Sequence, residues 1–70
     1  MRVRVSDPAL LRDLISFLRS AGCVAEQASR DSADVFVPDA RGESQARRRV
    51  TEQLGAWRSR HRGSGADIVD

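Results

Sequence analysis

At 70 residues with 12 basic and 10 acidic side chains, the chain has the size of one small domain with a formal net charge of +2, which excludes multi-domain machinery. Its single cysteine, Cys23, leaves no internal disulfide and no multi-thiolate metal site. A chain this short buries only about 60% of the surface its unfolded form exposes, so a stability of roughly 3–10 kcal/mol is expected.

The first element is a strand. Arg2-Val3-Arg4-Val5 alternates with the period of two that marks one wet and one dry face. Asp7-Pro8 then supplies an N-cap and a first helical residue. Stepped at about 100° per residue, Leu10, Leu11, Leu14, Phe17, Leu18 and Ala21 share one broad apolar face, with Ile15 at its edge. Gly22 is a natural stop for that helix.

Cys23 to Ala28 is a weaker strand, because its alanines, Glu26 and Gln27 have modest β-propensity. Ser29 to Ser32 has the composition of a hairpin turn. Ala33 to Val37 reads as the returning strand, ended by Pro38, and 39–42 is a loop. A second helix runs from about Glu43 to Arg60, its stripe of Ala46, Val50, Leu54 and Trp57 lying within about 80° of arc. Trp57 sits at the centre of that stripe and is expected in the core. Gly63-Ser64-Gly65 breaks the pattern, and residues 63–70 form either a loose tail or a short last strand at 66–70.

One domain spanning 1–70 is therefore expected. The order β-α-β-β-α(-β) leads to an α+β, ferredoxin-like two-layer sandwich, with both helices on one face of an antiparallel sheet. Val3, Val5, Val35 and Val37 should lie beneath the helices. By alternation, Arg2, Arg4 and Phe36 should point to the uncovered face, joined by Val24 and Ala28.

The segment Pro8-x-x-Leu11-x-x-Leu14-Ile15-x-x-Leu18-x-x-x-Gly22, preceded by Val3-x-Val5 and Asp7, resembles the opening of ACT-type regulatory domains. The resemblance covers the first third of the chain. It implies a non-catalytic module that pairs through its sheet and in many members senses a small metabolite. This sequence has Ala9 where such domains usually carry a glycine, and Cys23 and Val24 where an asparagine is common. The fold and the interaction role carry over, and a ligand site does not.

Little in the chain can do chemistry. Cys23 follows a helix-ending glycine, where a lone thiol is usually buried. His61, the sole histidine, stands beyond the second helix between Arg60 and Arg62, a position suited to the helix C-terminus. No catalytic residue, cofactor or metal site is expected, and an enzyme is not.

Charge is more telling. Residues 47–62 hold six arginines against Glu52 alone, a local excess of five positive charges. Arg47, Arg48, Arg49, Arg58, Arg60 and Arg62 form a candidate phosphate-binding face, since a guanidinium is a planar fork for phosphate. They surround the apolar stripe instead of forming one of their own, so a solvated role is the leading reading. The rival candidate is the open sheet face, with Arg2, Arg4, Val24 and Phe36 meeting a protein partner or a second copy. No apolar run approaches the roughly 20 residues of a membrane span, and the start lacks a signal-type apolar core. A cytoplasmic protein without a membrane partner is expected.

Overall fold

The computed structural model describes residues 1–69. Asp70, the last residue of the expected strand at 66–70, lies outside the described residues. In chain order the elements are β1 (Arg2–Val5), a 3-10 turn (Pro8–Leu10), α1 (Leu11–Ser20), β2 (Val24–Gln27), β3 (Ser32–Phe36), α2 (Glu43–Arg60) and β4 (Ala66–Ile68).

The four strands form one sheet in the order β2-β3-β1-β4, every neighbouring pair antiparallel. The chain thus crosses from β1 through α1 to β2, returns by a hairpin into the central position beside β1, and crosses through α2 to the far edge. Both helices pack on one side of this sheet. Val3, Val5, Ala25, Ala33, Val35 and Ala66 meet Leu11, Leu14, Ile15, Leu18, Val50, Leu54 and Trp57 there, each no more than 8% exposed. The result is a two-layer α+β domain with one covered and one open sheet face.

Local chemistry explains the boundaries. The Asp7 carboxylate accepts from the Ala9 amide at 3.0 Å, and the Leu10 amide donates to the Asp7 carbonyl at 2.9 Å. These bonds set a 3-10 turn before α1 begins at Leu11. At the other end Gly22 takes φ +93°, letting the Gly22 amide reach the Arg19 carbonyl and the Cys23 amide reach the Leu18 carbonyl, at 3.1 and 3.0 Å. That paired closure uses carbonyls the helix leaves unsatisfied and needs the left-handed residue glycine supplies.

Two placements differ from the sequence reading. Ile15, expected at the edge of the α1 face, is buried, whereas Phe17 is only half-buried. The β2–β3 hairpin also closes one residue earlier than expected. The Ala28 and Ser29 amides both donate to the Ser32 carbonyl, and the Ser29 and Ser32 hydroxyls lie 2.6 Å apart. Ser32 is therefore part of β3 and is buried.

Both edges of the sheet are engaged by arginines. The Ala28–Ser32 bond makes even-numbered residues of β2 face β3, so the Ala25 carbonyl points away from the sheet. Arg19 Nε donates to it at 2.9 Å. On the opposite edge the Ser6–Gly65 and Arg2–Val69 bonds leave the Ala66 carbonyl pointing outward, and Arg58 donates to it at 2.6 Å. Each helix thus sends one guanidinium to occupy an edge carbonyl that another strand would need.

Candidate interaction surface

The outward side chains of the sheet form a map fixed by the strand register. Glu26, Asp34 and Arg2 lie side by side across β2, β3 and β1, with Val69 next in line where its amide bonds the Arg2 carbonyl. One step along the strands, Ser32, Arg4 and Asp67 form a second row. One step in the other direction, Val24 stands directly opposite Phe36. Phe36 is 62% exposed and Val24 48%, and with Val69 at 44% they are the exposed large hydrophobic side chains among the described residues. Arg2, Arg4, Val24 and Phe36 are therefore brought onto one open face, and Ala28 lies exposed just past the end of β2.

The charges on this face alternate. Arg2 Nε is 3.1 Å from Asp34 Oδ1, Arg4 Nε is 3.7 Å from Asp31 Oδ2, and Arg58 is 3.6 Å from Asp67. Such exposed pairs contribute little to stability singly. Their effect here is to leave the centre of the face a mosaic of both signs.

Beside the Val24–Phe36 pair, an apolar cleft of about 350 Å³ opens at the end of the sheet. Met1, Phe36, Pro38, Ala40 and Ala46 line it, with the first turn of α2 at its rim. Phe36 thus belongs both to the open face and to the lining of the cleft. Parity along β3 from Phe36 makes Asp34 readable in the sequence as an outward neighbour. The cleft is not readable, because it depends on where the 39–42 loop sets the start of α2.

The α2 arginines are largely engaged within the chain. Arg47 pairs with Glu43 at 3.4 Å and Arg49 with Asp39 at 3.2 Å. Arg58 holds Asp67 and the Ala66 carbonyl, while the Arg60 guanidinium lies 5.4 Å from the Phe17 ring centroid. Arg48 and Arg62 are exposed and form no ion pair with the described residues. The six are spread around α2 and its end, not gathered on one face.

The groups with chemical potential are committed elsewhere. Trp57 is fully buried, and its indole Nε1 donates to Asp13 Oδ2 at 2.9 Å. His61 stacks on the indole at 4.3 Å between centroids, with Nε2 3.1 Å from the same Asp13 oxygen and Nδ1 3.0 Å from the Trp57 carbonyl. Whichever ring nitrogen carries the proton, neither is turned toward open solvent. The sequence reading missed Asp13, which looks like one more solvated residue on the polar side of α1. Among the described residues no His, Cys, Asp and Glu side chains group as metal ligands, and no helix is long and apolar enough to cross a membrane.

Cys23 is buried, and desolvation pushes its thiol above the ordinary thiol range, with Asp39 adding to the rise and Arg49 opposing it. The folded chain then holds the proton more tightly than the unfolded one. That contribution to stability is fully present below the unfolded thiol's pKa and is lost as pH rises from there through the higher folded one. Iodoacetamide should accordingly label the native protein at pH 8 at least about tenfold more slowly than the urea-unfolded chain. Equal rates would show an accessible thiol and contradict this placement.

Compared with known proteins, the chain matches no family model, no curated protein and no solved structure.

Proposed function

We propose that this chain is a small non-enzymatic interaction module of ferredoxin-like topology that self-associates through its open sheet face. One observation carries the reading: an exposed Val24–Phe36 pair beside an apolar cleft that Phe36 also lines. An apolar patch of that kind usually marks an interaction site, and a two-fold pair is the commonest way for a chain to cover its own.

The strand order with two crossovers supports the ferredoxin-like assignment. The likeness of the first third to ACT-type domains supports pairing without supplying a ligand. The committed nitrogens of His61 and the buried Cys23 thiol speak for binding over catalysis. A lone buried thiol suits a cytoplasmic setting.

Phe36→Glu is the direct test. The substitution removes the aromatic contact and sets a charge in the patch, and it is expected to weaken self-association at least about a hundredfold, as interface hot spots do. Sedimentation velocity over a concentration series reads the change. A chain that stays monomeric throughout, or a dimer indifferent to Phe36→Glu, overturns the reading. Salt-steep oligonucleotide binding by a monomer, lost on Arg48→Glu, would instead assign the function to α2 and its arginines.

A further inference from the structure

We infer that two copies meet face to face about a two-fold axis that runs parallel to the strands, between β3 and β1, so that Arg2 of each copy faces Asp34 of the other. This rests on self-association through the open face and adds the register of that pairing.

The charge map selects the axis. A two-fold parallel to the strands and centred between β3 and β1 lays the β3 column of one copy on the β1 column of the other. Asp34 then meets Arg2 of the second copy, twice over. The two intrachain pairs, each 3.1 Å long with both side chains half-exposed, close into a ring of four alternating charges. A network of that kind is stronger than isolated surface pairs.

Alternative axes do worse. A two-fold crossing the strands through the Arg2–Asp34 row sets Asp34 on Asp34 and Arg2 on Arg2. Moving the parallel axis between β2 and β3 opposes Glu26 to Asp34, because those residues are cross-strand neighbours. Moving it between β1 and β4 pairs Arg4 with Asp67 but carries Phe36 away from the axis, uncovered.

The central axis also accounts for the apolar end. Toward the row of Val24 and Phe36, β1 begins at Arg2, with Met1 opposite Val35 at the cleft. Phe36 of the second copy falls beyond Arg2 at this end of the sheet. The two Phe36 rings then lie side by side at the axis. Aromatic pairs favour such offset contact, and an isologous interface requires a self-complementary patch of this kind.

The test is charge reversal with mixing, read by sedimentation velocity on the full chain. Arg2→Asp alone and Asp34→Arg alone should each associate roughly tenfold to a hundredfold more weakly than the unaltered chain, because each sets like charges across the axis. An equimolar mixture of the two should recover association. Each chain in that mixture still carries its own internal like-charge pair, so recovery reports contact between copies only.

The double variant Arg2→Asp/Asp34→Arg keeps one charge of each sign in the pair and covers the case of a single variant that does not fold. It should self-associate as the unaltered chain does and should not mix with it. If the unaltered chain associates and Phe36→Glu splits it, yet neither the mixture nor the double variant behaves this way, the axis is wrong and the face is right. If Phe36→Glu has no effect or the unaltered chain is monomeric, the face itself is wrong and this register falls with it.

Discussion

Trp57→Ala is expected to remove a large part of the domain's stability. The indole is fully buried at the centre of the α2 stripe. Removing a buried aromatic of this kind costs about 3–5 kcal/mol, against a total of roughly 3–10 kcal/mol for a chain of this length. The same change strips Asp13 of its indole donor and His61 of the ring it stacks on. Trp57→Phe separates the two effects: most of the packing stays, the hydrogen bond goes, and the loss should be nearer 1–2 kcal/mol. Circular dichroism during urea unfolding is the suitable measurement, because Trp57 is the only tryptophan and both variants remove the fluorescent probe. A Trp57→Ala domain within about 1 kcal/mol of the unaltered one would contradict the core described above.

Leu14→Ala and Phe17→Ala together test which way α1 faces. Leu14 has no exposed surface and points between the two layers, so its truncation should cost about 2–5 kcal/mol. Phe17 is half-buried, packed against the core and under the Arg60 guanidinium, so its truncation should cost less, about 1–2 kcal/mol. Urea midpoints at constant slope report the difference. Equal costs, or the reverse order, would mean that α1 is rotated toward the phase read from the sequence.

That phase error has a physical source. Leu10 and Ala21 both draw the calculated apolar face toward Phe17, yet neither belongs to the regular helix. Leu10 is in the 3-10 turn, where each residue advances about 120° instead of about 100°, and Ala21 is the C-cap. With those two set aside, Leu11, Leu14, Ile15 and Leu18 define the face that is observed. The ends of α2 and the two crossovers were legible because an apolar stripe ends where glycine or a loop begins. The alternation in β1 told which residues point outward, since its inward valines contrast sharply with its arginines. Val24 and Phe36 were placed on the open face by the same alternation.

What could not be read was anything set by pairing across strands. That Glu26, Asp34 and Arg2 share one row depends on the hairpin closing at Ser32, and one residue of slip would regroup every charge on the face. The Asp13–Trp57–His61 cluster was hidden for a related reason. Its members are 44 residues apart at the indole bond, and only the contact between α1 and the end of α2 joins them.

The guanidiniums at the two sheet margins carry a consequence for stoichiometry. A sheet that grew by adding strands sideways would have no natural end, and a solution of such chains would drift toward fibres of indefinite length. Arg19 and Arg58 sit on the Ala25 and Ala66 carbonyls, where that growth would have to start. With lateral addition hindered, a chain whose sticky surface is one face reaches its limit once that face is covered. On the face-to-face pairing proposed above the count would stop at two, and raising the concentration should fill the same closed species instead of lengthening it.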